Sequence, residues 1–178
     1  MKLWSRLVIF VAALTLGGTA MAANVVDAEN LLYMDLAFGR VVIQLRPDLA
    51  PNTCAQVKKL TRAGFYDGLV FHRVIDGFMA QGGDPTGTGG GGSDKPDLKA
   101  EFSKQPHVRG VCSMARTSNP HSANSQFFIC FDDATFLDNQ YTVWGEVVDG
   151  MEHIDALPKG EPPRSPGKIV SMKVAADA

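Results

Sequence analysis

The side chains able to do chemistry in this chain are four histidines (His72, His107, His121 and His153), three cysteines (Cys54, Cys112 and Cys130) and many serines and aspartates. Their spacing supports few reactions. No serine stands in a Gly-x-Ser-x-Gly turn, no histidine pair is spaced as His-Glu-x-x-His, and the cysteines match no zinc pattern. Gly87-Thr88-Gly89-Gly90-Gly91-Gly92 fits the glycine pattern of dinucleotide sites, with Glu101 near the expected acidic position. That reading needs a helix opening directly from the glycines. Ser93-Asp94-Lys95-Pro96 follows instead, which is loop chemistry, so a flexible surface loop is expected there.

Two other stretches carry more. In Phe71–Asp84, period-two alternation sets Arg73 opposite His72 and Val74, and puts Met79 and Gln81 on a common face. In Ser125–Phe131, the residues Phe127, Ile129 and Phe131 make one apolar face, while Gln126 and Phe128 share the other. The first set suits an interior. The outer face then carries an arginine, two glutamines, a methionine and a phenylalanine. Such a face can hold a ligand by hydrogen bonds and apolar contact, without nucleophile or metal. By pattern alone it is equally a solvated strand face with scattered aromatics.

The elements that must position these residues are mostly strands. Leu31–Phe38 and Val41–Leu45 are β-prone runs joined through Gly39-Arg40, with Leu32, Met34, Leu36 and Phe38 on one face and Val41, Ile43 and Leu45 on one face of the second. Further strands are expected at Val70–Ile75, Phe78–Gln81, Val111–Ala115, Gln126–Phe131, Thr142–Val148 and Lys168–Val174. Pro51–Ala63, with Cys54, Val57 and Leu60 at three-residue steps and Gly64 beyond its end, reads as an amphipathic helix, and Met151–Leu157 as a second. Strands with turn punctuation and two helices suggest a closed antiparallel barrel with helices over its ends.

Composition sets the bounds. At 178 residues, 45% hydrophobic, with 17 basic against 19 acidic side chains, the chain is one domain's length and lacks the basic excess of a nucleic-acid binder. Residues 1–22 read as a cleavable secretory signal. Lys2 and Arg6 precede the apolar run Leu7–Leu16, which is shorter than the roughly 20 residues of a membrane span, and Ala20-Met21-Ala22 offers a small-x-small cleavage site. Cleavage after Ala22 leaves a single domain, 23–178, without a membrane anchor, exported and in a bacterium periplasmic. A domain of that size needs no disulfide scaffold, so buried free thiols are expected, with the pairing of Cys112 and Cys130 left open.

The same residues carry a family resemblance. The early hairpin, Ala50-Pro51-Asn52-Thr53, Gly64-Phe65-Tyr66-Asp67-Gly68, the run from Phe71 to Asp84, the glycine-rich loop, Ser113-Met114-Ala115-Arg116 and Ser125-Gln126-Phe127-Phe128-Ile129 together resemble a cyclophilin, a peptidyl-prolyl cis/trans isomerase, from about Leu31 to Val174. The resemblance implies a mainly β fold, a closed eight-stranded antiparallel barrel with two capping α-helices. It also implies that the faces holding Arg73, Gln81 and Phe128 converge on one groove. The implied partners are proline-containing segments of unfolded or extended chains, bound by a monomer that uses no cofactor.

The implied chemistry is rotation about the X-Pro bond. Amide delocalisation opposes that rotation with a barrier of about 18–20 kcal/mol. At the twisted transition state the nitrogen lone pair is localised and can accept a hydrogen bond. Arg73 would donate it, Gln81 would order Arg73 and the substrate carbonyl, and Phe78, Met79, Phe128 and Leu137 would hold the proline ring. Ala115 and the backbone at Arg116 would keep the substrate extended, and Gln126 would border the groove. Where well-known eukaryotic members carry Trp, this chain has Phe136, and Tyr141 stands for a pocket His. The segment Ala115–Asn124 is one residue longer, with Arg for Asn, as in bacterial members. Loss of the indole donor predicts weak cyclosporin binding. A module that only binds proline segments would tolerate loss of Arg73 and Gln81, so their presence favours an enzyme.

Overall fold

Leu32, Met34 and Leu36 recur at every second position, as do Val41, Ile43 and Leu45, and all six are buried. Their burial folds β1 (Leu31–Leu36) against β2 (Gly39–Leu45), while Phe38 falls in the turn and stays exposed. The computed structural model describes residues 27–178, so the signal expected at 1–22 lies outside the described residues. Six more strands follow: β3 (Arg73–Ile75), β4 (Met79–Gly82), β5 (Val111–Met114), β6 (Phe127–Cys130), β7 (Val143–Asp149) and β8 (Ile169–Val174). Helix α1 spans Pro51–Arg62 and the short α2 spans Met151–Asp155.

The strands form one antiparallel sheet in the order β3-β4-β6-β5-β7-β2-β1-β8, curled as a half-barrel. The ladder expected to close it between β3 and β8 is missing. The reason lies in how the backbone groups of the edge are used. Val74 both donates to and accepts from Gly160 at 2.8 Å, so a segment of the 158–167 connection occupies the outer side of the three-residue β3. The gap is spanned below this by Gly68, Leu69 and Phe71, whose backbone bonds to Gly167 and Ile169 flank the isolated bridge Val70–Lys168.

The concave side is filled. Phe127 sits edge-on to Tyr66, Phe71 and Trp144, with ring centroids 5.8, 6.2 and 5.8 Å away. Among the described residues these rings fill the interior at this level. Helix α1 buries Cys54, Val57 and Leu60 against this core. Its first turn has no local side-chain cap. Glu101 supplies one from a distant loop, its carboxylate accepting from the amides of Asn52 and Thr53 and from the Thr53 hydroxyl. Negative charge at a helix amino terminus meets the unpaired N–H groups there. Glu101 thus has a structural task, not that of a nucleotide ligand. The three thiols are free and buried. Cys112 opposes Ile129 on the inner face, and Cys130, one residue further, points to the other, so the two cannot pair.

The glycine-rich loop is organised rather than loose, contrary to the sequence expectation. The buried Asp84 carboxylate accepts from the amides of Thr86, Thr88, Gly89 and Gly91 and from the Thr86 hydroxyl, at 2.6–3.2 Å. A Cβ at Gly91 would lie 2.2 Å from the Asp84 carboxylate, so the wrap requires glycine there. Burial by itself would raise the Asp84 pKa, but Thr86 and the Gly91 and Gly89 amides outweigh it and bring it down to about 2. A carboxyl depressed from its ordinary value of about 4 contributes stability that is fully present above that value and fades as pH falls towards the folded one. Asp84→Asn is expected to lower unfolding free energy in urea by about 2 kcal/mol at pH 7, and by roughly half of that at pH 3. Amide exchange at Gly89 and Gly91 should quicken in parallel. An unchanged urea midpoint at pH 7 would show that the carboxylate does not hold the loop.

Candidate active site

The register of four strands assembles the site. Arg73 faces Gln81 across β3 and β4, and Gln81 faces Phe128 across β4 and β6. Ser113 of β5 continues the row. Residues directly opposite in adjacent strands share a face, so the four lie in one line across the convex side, about 4.8 Å from strand to strand. The neighbouring line, Val74-Ala80-Ile129-Cys112, points inward and is entirely buried.

On the convex side, Met79, Phe128, Cys130 and Ala134 form a separate apolar cluster, packed by Ile75, Phe78, Ala115, Leu137 and Tyr141. Its open part is a cleft of about 130 Å³. Of the residues singled out from the sequence, all but Gln126 and Phe136 line it. Gln126 borders an adjoining cavity of about 330 Å³, whose far wall is the glycine-rich loop. Phe136 is 65% exposed and packs on Phe78 with centroids 5.4 Å apart. It belongs to the 3-10 turn Thr135–Leu137, where successive side chains diverge by about a third of a turn, so Leu137 enters the cleft and Phe136 does not.

Polar contacts fix the walls. Gln81 donates to Gln126, and the Gln126 amide donates to the carbonyls of Gly89 and Gly91. Gln81 is thereby tied to the glycine-rich loop. Among the described residues no hydrogen bond joins the Gln81 and Arg73 side chains: Gln81 donates to Gln126, and its carbonyl oxygen, the one atom able to accept from a guanidinium, takes no bond from Arg73. Arg73 Nε instead donates to Glu161 at 2.6 Å. Arg116 contributes more than its backbone. Its guanidinium lies 4.6 Å over the Tyr141 ring and donates to the carbonyls of Gln140 and Thr117. Behind the floor, His107 stacks on Phe128 at 6.2 Å. One His107 nitrogen meets Asp138 at 2.9 Å and the other Ser113 at 3.1 Å, while Asp138 also accepts from the His107 amide. Asp138 caps the turn that delivers Leu137, so the buried His107 and the half-buried Asp138 join the pocket floor to its rim.

Glu161, Asp84, His107 and Asp138 escaped the sequence reading. Glu161, His107 and Asp138 act across long separations, 88 residues for Glu161 and 31 for the His107–Asp138 contact, and no spacing rule links such partners. Asp84 alone left a signal, standing at the head of a glycine run whose amides need an acceptor.

Chemically, the cleft offers an apolar seat beside a guanidinium, with a second guanidinium at its rim. Cys130, the thiol beneath it, is pushed up by burial to about 12 and is no nucleophile. The arrangement binds an apolar ring and donates hydrogen bonds.

Comparison with known proteins agrees. Residues 31–174 match the family model described as cyclophilin type peptidyl-prolyl cis-trans isomerase/CLD. A probable peptidyl-prolyl cis-trans isomerase of Brucella suis is 49% identical over 176 residues, covering 90% of each chain. A peptidyl-prolyl cis-trans isomerase of Synechococcus elongatus is 41% identical over 79% of this chain and 92% of its own. Among solved structures, a cyclophilin from Hirschia baltica superposes with a TM-score of 0.79 at 34% identity, over 85% of this chain and 76% of that one. A Cryptosporidium parvum cyclophilin type isomerase, crystallised in the presence of the dipeptide Ala-Pro, gives 0.75 at 29% identity over 81% and 98%. The curled sheet, the convex cleft and these relatives together show that the chain belongs to the cyclophilin-type peptidyl-prolyl cis-trans isomerases.

Proposed function

We propose that this isomerase works on X-Pro bonds of exported proteins, and that Arg73 supplies the hydrogen bond that favours the twisted state. One observation carries this reading: the strand register sets Arg73 beside an apolar cleft floored by Met79 and Phe128. The cleft seats the proline ring. A guanidinium at its edge then faces the imide nitrogen, which accepts a hydrogen bond only when rotation has localised its lone pair. That bond is absent in the planar ground state, so it lowers the barrier rather than merely tightening binding. An acceleration of about 10⁵ corresponds to roughly 7 kcal/mol. Charge-assisted bonds of about 1.5–3 kcal/mol each supply part of it, and exclusion of water from the apolar seat strengthens them.

The substrate chain runs extended past Ala115 and Arg116, with the cavity beside Gln126 receiving residues next to the proline. The family relative crystallised with Ala-Pro supports a proline-containing ligand for this chain as well. Export to the periplasm is inferred from Lys2, Arg6, the apolar run and Ala20-Met21-Ala22. Among the described residues no helix is long and apolar enough to cross a membrane. The domain is taken to act as a monomer.

Two outcomes are expected. With the mature chain 23–178 and a short X-Pro peptide, exchange NMR will show fast cis/trans interconversion that drops by at least 10²-fold, about 2.7 kcal/mol, in Arg73→Ala, with peptide affinity kept. Equal rates in both would remove Arg73 from the mechanism. Cyclosporin will bind more weakly than nanomolar, because Phe136 has no N–H to donate and turns onto Phe78. Stoichiometric inhibition at nanomolar enzyme would overturn that.

A further inference from the structure

We propose that Glu161 is a positioning residue for the isomerisation, holding the Arg73 guanidinium at the angle from which its terminal N–H groups reach the cleft. The inference rests on the reading of Arg73 given above. Arg73 stands on the edge strand β3 with its side chain 41% exposed. A free arginine there would spread over many rotamers, and fixing one costs side-chain entropy. The only hydrogen bond from its guanidinium to a described residue is Nε to Glu161 Oε2 at 2.6 Å. Arginine has five N–H donors. Using Nε leaves the terminal ones for the substrate.

The carboxylate is itself delivered by a constrained segment. Gly160, next in chain to Glu161, is paired in both directions with Val74, next in chain to Arg73. Gly160 has φ +148°, and a Cβ there would lie 2.7–2.9 Å from the backbone of Pro162 and Pro163, so this turn is built on glycine. Two prolines follow with fixed φ. Neighbouring backbone bonds therefore place donor and acceptor side by side before either side chain chooses a rotamer. Arg73 and Glu161 also line a second cavity, which shares Arg73 and Gln81 with the proline seat.

Because the pair is solvent-exposed, its effect on rate is modest: exposed ion pairs are worth up to about 1 kcal/mol, roughly fivefold. The experiment compares wild type, Glu161→Ala, Glu161→Gln, Arg73→Ala and the double variant Glu161→Ala/Arg73→Ala of the mature chain. Exchange NMR gives the catalysed rate, peptide titration gives the affinity, and the 15N spectrum of arginine Nε–H groups reports the contact directly. Glu161→Ala should lower the catalysed rate roughly fivefold with affinity unchanged, and shift the Arg73 Nε–H signal towards that of free arginines. Glu161→Gln, which keeps an acceptor, should recover part of both. In the Arg73→Ala background, removal of Glu161 should do nothing further. If Arg73→Ala is as active as wild type, the reading of Arg73 has failed, whatever Glu161 does. If Arg73→Ala is inactive while Glu161→Ala is as fast as or faster than wild type, Glu161 is a bystander or a competitor and the proposal is overturned.

Discussion

Everything at the cleft depends on the register of β3, β4, β6 and β5. The row Val74-Ala80-Ile129-Cys112 is buried, and the row Arg73-Gln81-Phe128-Ser113 lies one residue away on the other face. A slip by one residue in any of these strands would exchange the faces, burying a guanidinium or an amide while exposing core. Burial of an unpaired charge costs far more than any contact in the cleft contributes. The core therefore fixes the site: its inward row is what makes the outward row stand still. Ala80, the smallest member, is fully buried in that core, where a larger residue would overpack its surroundings.

The irregular parts of the molecule follow a different rule. Between β4 and β5 the chain runs from Gly83 to Gly110 without a strand or helix. Its backbone groups still need partners, and single acceptors provide them: Asp84 for the glycine-rich loop, Asn124 for Ser93, and Glu101 for the start of α1. Asp84 collects its donors from its own loop, whereas Asn124 and Glu101 take theirs across 31 and 48–49 residues. Such anchors give a loop the fixed shape that Gln126 then reads through the Gly89 and Gly91 carbonyls.

This division explains what could be read from the sequence. Alternation is a local signal, and it placed all eight strands and both helices within a few residues of their observed ends, together with the two faces of β4 and β6. It could not show that Arg73 and Phe128 share a line, since pairing of β3 with β4 and of β4 with β6 is a tertiary fact. Resemblance supplied that step. Neither source revealed Glu161, whose contact with Arg73 depends on Gly160 taking both backbone groups of Val74, nor the His107–Asp138 contact behind Phe128. Phe136 went astray because a three-residue turn, not a strand, decides which way it points. The open edge between β3 and β8 has the same origin as the Glu161 contact: one irregular segment displaced a ladder.

That displaced ladder has a consequence for the company this protein keeps. An uncovered strand edge is a template on which another extended chain can build, and a peptidyl-prolyl isomerase acts on peptide chains. Here one edge is three residues long and its free groups are taken by Gly160, while the other is met at its start by Gly68 and Leu69. Both edges are thus partly taken up by the chain's own segments, and what remains of the ladder for another extended chain to join is short.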